Sequence, residues 1–433
     1  MRLRSMLCGL LASSVLAVAP VQAAEERAVQ MVVPAFLSGP AAGPYGIPSR
    51  NAAELLIEAI NEGRLPAPYA GKGFAGAKVE VGFIDENGGN AKQVNEFRNL
   101  VQKRQVDLVL GYVSSGTCEA VLPVAEELKV LTVFTICGAT RLFEGEPRSH
   151  VFRTMATGAS EAIAAARFIK DAYPDLKSYT GINQNYAWGQ DAWNDFQAAM
   201  SALSPAKVSA KPLWPKVFQG QFSSEISSLL LGDEELVHSS AWGGDLDGLV
   251  LQGDARGLFA KKKVLLTMAG AGAELRLGRK MPDGVVVGAR GPFGLLALDR
   301  DTPLNRWFID AYKDRFGTTP PSPAYQTGQG ILAVKLAYDR AGEAKGGAFP
   351  TKDEVIARLR NLEFDSFAGR VKMALGGGHQ AMHEIGYGFT RYDEKAGELK
   401  LTGVTFYAPE CINPPPGTAT EDWIKGGMAG AKC

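Results

Sequence analysis

Two short stretches carry residue types that could hold a small anion. Ser114-Ser115-Gly116-Thr117 follows the aliphatic run Val106–Leu110, and apolar residues then recur at helical spacing over Cys118–Leu128. A hydroxyl-rich turn ahead of a helix supplies an N-cap and leaves the first backbone N–H groups unpaired, and the helix dipole there favours negative charge. A second buried run, Val130–Ile136, ends in Cys137-Gly138-Ala139-Thr140. In a parallel strand–helix–strand unit, the helix start and both strand ends share one sheet edge. Ser115, Gly138 and Thr140 would then converge on one acceptor-bearing ligand. From these residues alone, helix capping by the serines and chain turning at Gly138 explain the stretch equally well.

Aromatic residues recur at the same kind of position. Tyr45 follows the first predicted strand, Tyr186 and Trp188 follow the strand ending at Asn183, and Trp242 follows the strand ending at Ala241. Ligands of open α/β sheets sit outside the carboxyl ends of strands, so these rings would wall a cleft. Catalytic signatures are sparse. Gly111 to Gly116 has the wrong spacing for a nucleophile elbow, and Gly39 to Gly46 lacks both the P-loop lysine and GxGxxG spacing. His379 and His383 stand near Glu384 behind three glycines, without a third ligand in sight, so a metal is not expected. His150 and His238 read as structural. No cofactor is implied, no residue is assigned as catalytic, and the chain is not expected to be an enzyme.

The elements that must position these residues alternate. Strands are predicted at Val29–Pro34, Lys78–Ile84, Val106–Leu110 and Val130–Ile136, with helices at Arg50–Asn61, Asn90–Arg104 and Cys118–Leu128 between them. A second alternating series runs from the strand Val151–Thr154 to the strand Lys263–Met268. It includes the strand Val208–Leu213 and the helix Asp245–Leu258. Alternation of this kind predicts parallel α/β sheets covered on both faces, here in two lobes. From Thr302 the pattern turns helical (Pro303–Phe316, Pro323–Gly342, Lys352–Leu362). It then yields short runs, Arg370–Ala374, Gly386–Tyr392 and Leu399–Tyr407, that read as added antiparallel strands, before an irregular, Gly- and Pro-rich tail.

A chain of 433 residues calls for two or three domains. Lys plus Arg and Asp plus Glu each total 46, so there is no basic footprint for nucleic acid. Arg2 and Arg4 precede the apolar run Met6–Val18, and Val21-Gln22-Ala23 offers small residues for cleavage after Ala23 or Ala24. This predicts a secretory signal peptide and a periplasmic, monomeric mature protein. Cys8 begins the apolar run instead of following it, so a lipid anchor is not expected. The mature chain keeps Cys118, Cys137, Cys411 and Cys433, an even count suited to an oxidising compartment. Four cysteines allow three pairings. Cys118 and Cys137 share a sheet edge, so 118–137 is expected, with 411–433 pinning the tail.

The runs SGPAAGPYGIPSRNAAELLIEAINEG, VDLVLGYVSSGTCEAVLPVAEELKVLTVFTICGAT and INQNYAWGQDAW, in that order, resemble the type I periplasmic solute-binding proteins, and most of all their leucine/isoleucine/valine-binding branch. The likeness spans roughly Val29 to Tyr407. It implies two Rossmann-like doubly wound lobes joined by three crossovers, with lobe one at 25–150 plus 289–369, lobe two at 151–288 plus 370–410, and a tail from 411. It implies an extracytoplasmic receptor that closes by a hinge on a small solute and hands it to an inner-membrane ABC permease. A sensor presenting the closed form to a signalling protein, and a secreted hydrolase on the same scaffold, are the alternatives.

The resemblance also implies that Ser115, Gly138 and Thr140 hold the ligand carboxylate. Tyr45, Tyr186 and Trp242 match the family's aromatic and cross-lobe positions. One position departs: the acidic residue that receives an α-ammonium matches Ala271, so either Asp245 or Glu119 substitutes or the ligand lacks an amine. The expected solute is therefore an organic or aromatic acid, or a branched-chain-type amino acid.

Overall fold

The computed structural model describes residues 27–433. The expected signal peptide, with Cys8 and its cleavage site, lies outside the described residues. Short aliphatic runs such as Leu108–Gly111 and Leu131–Phe134 are buried along their whole length. Strands buried on both faces favour a parallel sheet roofed by helices. One sheet has eight strands, in the order Glu363–Asp365, Arg370–Leu375, Gln380–Met382, Val151–Arg153, Leu131–Phe134, Leu108–Gly111, Val29–Ala35 and Val79–Asp85. Its five doubly wound strands pair in parallel, with Val109 opposite Thr132 and Val29 opposite Val79. The helices Ile47–Glu62, Pro303–Phe316, Ser322–Ala344 and Lys352–Leu359 pack on it around Val33, Leu110, Leu56 and Ile331.

The second sheet has seven strands, in the order Glu398–Tyr407, Ile385–Asp393, Val286–Gly288, Lys263–Leu266, Leu236–Ser239, Ser178–Gly181 and Lys207–Val208. Its last two strands in the chain form the antiparallel edge that the alternating runs predicted. Among the described residues no helix is long and apolar enough to cross a membrane.

Several expectations change. The strand Val151–Arg153 pairs with Leu131–Phe134, and Arg370–Leu375 and Gln380–Met382 extend the same eight-stranded sheet. All three had been placed with lobe two. The chain leaves the first sheet only after its fifth parallel strand. After Gly369 it continues an antiparallel meander, because that edge still offers unpaired backbone groups. The strand predicted over Val208–Leu213 shrinks to Lys207–Val208, since Pro212 removes a ladder donor. The tail is less irregular than its composition suggests: Pro409–Ile412 and Thr420–Lys425 are helical, and Trp423 and Ile424 are buried against the second sheet's layers. Cys118 bonds Cys137 and Cys411 bonds Cys433, the pairing expected.

The chain crosses between the sheets three times, through residues 154–157, 289–302 and 383–384. The three crossings touch. His383 Nε2 accepts from Ala156 N at 3.1 Å, and its ring meets Phe293 edge-on at 5.7 Å. Burial pushes the His383 imidazole down to about 4, so it is neutral and its Nε2 is free to accept.

Candidate functional site

The helix Ser115–Glu127 starts three residues earlier than its periodicity suggested, so Ser115 stands in its first turn. Ser115 Oγ accepts from Gly138 N at 3.0 Å and Ala139 N at 3.1 Å, which leaves its own hydrogen to donate. The carbonyls of that turn point away and are all engaged. Arg290 Nη2 donates to Ile136 O, Arg153 Nη1 reaches Cys137 O at 3.4 Å and Ala139 O at 2.8 Å, and Gly158 N donates to Gly138 O at 2.7 Å. The turn thus shows a ligand the Ser115 hydroxyl hydrogen, its own amides being donated to that hydroxyl. Gly138 is required by space: a Cβ there would collide with Arg290 Nη1 and the Trp188 ring. The Cys118–Cys137 disulfide ties the helix start to this turn. Beneath it, the buried Glu86 accepts from Val113 N and Ser114 N at 2.8 Å each, and burial pushes its carboxyl up to about 8.

The facing wall is aromatic. Trp188 Nε1 donates to Ser240 O at 3.0 Å, and Trp242 Nε1 donates to the Tyr186 hydroxyl at 2.6 Å. Tyr45, from the first lobe, meets Trp242 edge-on at 5.2 Å, and Phe36 lies 6.0 Å from the same ring. Such pairs add about 0.5–1.5 kcal/mol beyond the area they bury. The Tyr45 hydroxyl is buried without a partner, and burial holds its phenol well above the usual range. Arg290, two residues beyond the strand Val286–Gly288, is fully enclosed at 2% exposure. Its guanidinium sits 4.9 Å from the Trp188 ring, and its Nε lies 3.8 Å from Glu161 Oε2. Burial lowers the Arg290 guanidinium and pushes Glu161 up to about 8.

Five of the seven residues expected at the site line one cavity: Tyr45, Ser115, Gly138, Tyr186 and Trp242, joined by Val113, Ile136, Trp188, Met268 and Arg290. Free space there is about 10 Å³, roughly that of one water. A larger solute therefore enters only if the walls part.

Two expected residues lie elsewhere. Thr140 turns away from the cavity; its hydroxyl accepts from Ala159 N at 2.9 Å and donates to Asp195 Oδ2 at 2.8 Å, clasping the two lobes. Asp245, proposed to receive an ammonium, has its carboxylate committed to Phe218 N at 2.6 Å, Gly220 N at 3.0 Å and Gln184 Nε2 at 2.8 Å. It ties down the loop that carries Phe218, because three good donors outcompete a distant ligand. Glu119 is exposed on its helix, and Ala271 is buried in a short 3₁₀ turn, so none of the three positions weighed for an amine brings a carboxylate to the cavity lining.

Arg290 went unread. The signal was available in Val285-Val286-Val287-Gly288-Ala289-Arg290, a buried run with an arginine at its carboxyl end, but the run was not recognised as a strand. His379 and His383 serve the fold: His379 Nδ1 is 3.0 Å from Val151 O, and its ring stacks on Phe152 at 4.0 Å. Among the described residues no three His, Cys, Asp or Glu side chains cluster as metal ligands.

The architecture has counterparts. A solute binding protein of an ABC transporter from R. palustris, solved with benzoate, superposes with a TM-score of 0.75 at 20% identity, covering 90% of this chain and 99% of that one. One from Rhodopseudomonas palustris BisB5, solved with 3,4-dihydroxybenzoic acid, gives 0.74 at 19% identity over 88% and 98% of the two chains. The leucine binding protein LivK of Thermotoga maritima gives 0.70 at 17% identity over 87% and 98%. No curated protein sequence matches the chain significantly. The periplasmic binding protein family model matches residues 29–397, nearly the whole length described above, and the chain belongs to that family.

Proposed function

We infer that the chain is an extracytoplasmic, periplasmic receptor of an ABC importer. It binds a small carboxylate-bearing solute between two lobes and delivers it, unchanged, to a membrane permease. The lobes comprise residues 27–153 plus 303–382, and 158–288 plus 385–407, following the strand and helix assignments. The three adjoining crossovers form the hinge. The observation that carries this reading is the cavity itself. On one side stands a serine hydroxyl held by two amides and left with its hydrogen to donate, with every carbonyl of the turn already engaged. On the other stands a wall of indole and phenol rings. Polar capture by the first lobe and apolar closure by the second is the chemistry of a hinge-closing receptor.

The test is a thermal-shift screen of the mature protein against aromatic acids, aliphatic acids, amino acids and neutral amides. A solute bound only by the native state raises Tm by mass action. Shifts with carboxylates, and recovery of the bound acid unaltered by mass spectrometry, support the reading. Shifts confined to neutral solutes, or chemical turnover of the acid, overturn it.

A further inference from the structure

The charge inside the cavity is one-sided. Of its ten lining residues Arg290 alone is charged, and its Nε and Nη1 have no hydrogen-bond acceptor. The Nη1 lies directly over Gly138, whose amide is one of the two held by Ser115. Unused donors thus converge from two sides: Arg290 Nη1 from the 289–302 crossover and the Ser115 hydroxyl hydrogen from the first lobe. A planar two-oxygen anion satisfies both, one oxygen taking the Nη1 hydrogen and the other the Ser115 hydroxyl hydrogen, because a charge-assisted N–H···O bond to a carboxylate is among the strongest a side chain makes.

Glu161 does not fill that role. It stands 3.8 Å away, and burial favours its neutral form. A buried cation left in this state is unfavourable until an anion arrives.

No feature of the cavity is built for an ammonium. The carbonyls of residues 136–139 are all occupied, Asp245 is committed to its loop, and Glu86 is committed to the Val113 and Ser114 amides. Glu274 bonds Gly272 N and lies outside the cavity lining. An α-amine one carbon from the bound carboxylate would sit beside Arg290 with no acid to offset it.

We propose that Arg290 is the charge partner of the ligand carboxylate and sets the substrate class: an amine-free monocarboxylate with a flat apolar body. This rests on the receptor reading above, and the two fail differently. The probes are benzoate, benzamide, phenylalanine and leucine, titrated by calorimetry into the mature wild-type protein, Arg290→Gln and Arg290→Lys.

Wild type should bind benzoate at least tenfold more tightly than benzamide, phenylalanine or leucine. In Arg290→Gln the benzoate-over-benzamide preference should collapse toward unity, corresponding to a roughly 10- to 100-fold selective loss for a charge-assisted contact. That ratio is independent of the active fraction, so partial misfolding does not mimic it. If Arg290→Gln does not fold, Arg290→Lys decides: it keeps the charge but not the planar guanidinium, and should retain the preference with weaker benzoate binding. An unchanged preference in Arg290→Gln, unchanged benzoate affinity in Arg290→Lys, or amino acids binding as tightly as benzoate would each overturn this assignment while leaving the receptor reading intact. Carboxylates binding to none of the three proteins would overturn both.

Discussion

The two walls of the cavity are built by opposite means. The first-lobe wall rests on backbone: a helix start and a turn whose amides hold the Ser115 hydroxyl in place, with the turn's carbonyls drawn back by arginines. The facing wall is made of side chains, Trp188, Trp242 and Tyr186 of the second lobe and Arg290 of the adjoining crossover, placed by elements far apart in the chain. Backbone recognition is inexpensive in conformational entropy, because a disulfide and a sheet edge already fix the chain. Side-chain recognition needs each ring and guanidinium to be held by its own partner. The first wall is therefore suited to reading a constant group such as a carboxylate, and the second to reading what differs between solutes.

The largest effect should come from cutting the brace of the backbone wall. Cys118→Ser with Cys137→Ser removes a crosslink that closes 19 residues, and should lower stability by about 3 kcal/mol in the chain-entropy model. Denaturant melts will show it as a lower midpoint. Cys411→Ser with Cys433→Ser opens a loop of similar separation, 22 residues, but one whose cysteines lie outside the cavity lining. It should leave ligand affinity unchanged, whereas the first pair should weaken it. Equal effects of the two pairs on affinity would mean the brace does not position the turn.

Next is Ser115→Ala. The amides of Gly138 and Ala139 lose their acceptor, and the ligand loses a donor. Binding of a carboxylate should weaken by about 1–3 kcal/mol, with little change in the benzoate-over-benzamide ratio that Arg290 governs. Calorimetry on the single and double mutants, Ser115→Ala with Arg290→Gln, would measure whether the walls act on the same oxygens. Additive losses would place them on different groups of the ligand.

The contrast between the walls also explains what could be read from residue order. Ser115, Gly138 and the 118–137 bond were legible because a strand–helix–strand unit puts local sequence neighbours at one edge. The helices Asn90–Arg104 and Pro303–Phe316 match their predicted bounds for the same reason: the apolar period is local. Thr140 and Asp245 were assigned to the ligand by type and position. Their partners, Asp195 and the Phe218–Gly220 amides, come from distant segments that no pattern announces. Arg290 was hidden because its strand spans only three residues, too short for periodicity to register. Side-chain walls depend on tertiary partners, and these were not visible.

Asp245→Asn tests the reassignment of that residue. Its carboxylate holds two amides and a carboxamide, so the change should cost about 1–2 kcal/mol of stability by leaving a buried donor mispaired. The preference among benzoate, phenylalanine and leucine should not move. A selective loss of amino-acid binding would return Asp245 to the ligand.

The smallest expected effect concerns pH, and it bears on how the walls come together. Thr140 and Arg141 of the first lobe meet Asp195 and Asp191 of the second. Arg141 Nε lies 2.9 Å from Asp191 Oδ1, and Thr140 donates to Asp195 Oδ2. Asp195 is pushed up to about 7, chiefly by burial, with Asp191 and Glu144 adding repulsion while Thr140 and Arg141 oppose it. Parting the lobes would return Asp195 to water and to the ordinary carboxyl range near 4. Its pKa is raised in the closed form, so closing takes up a proton between about pH 4 and pH 7. The favourable contribution is whole below that range and is lost as pH rises through about 7. Affinity for a solute ionised throughout, such as benzoate, should therefore fall between pH 5 and pH 8, by about tenfold or less because Asp195 is only half-buried. Glu161 and Glu86, both pushed up to about 8 by burial, contribute with the same sign where opening wets them. Asp195→Asn should flatten its share of the slope, and Thr140→Val should steepen it by removing the hydroxyl that stabilises the ionised form. Calorimetry in buffers of differing ionisation enthalpy will count the protons directly. Proton release on binding, or a slope unaltered by Asp195→Asn, would mean the clasp does not separate when the lobes open.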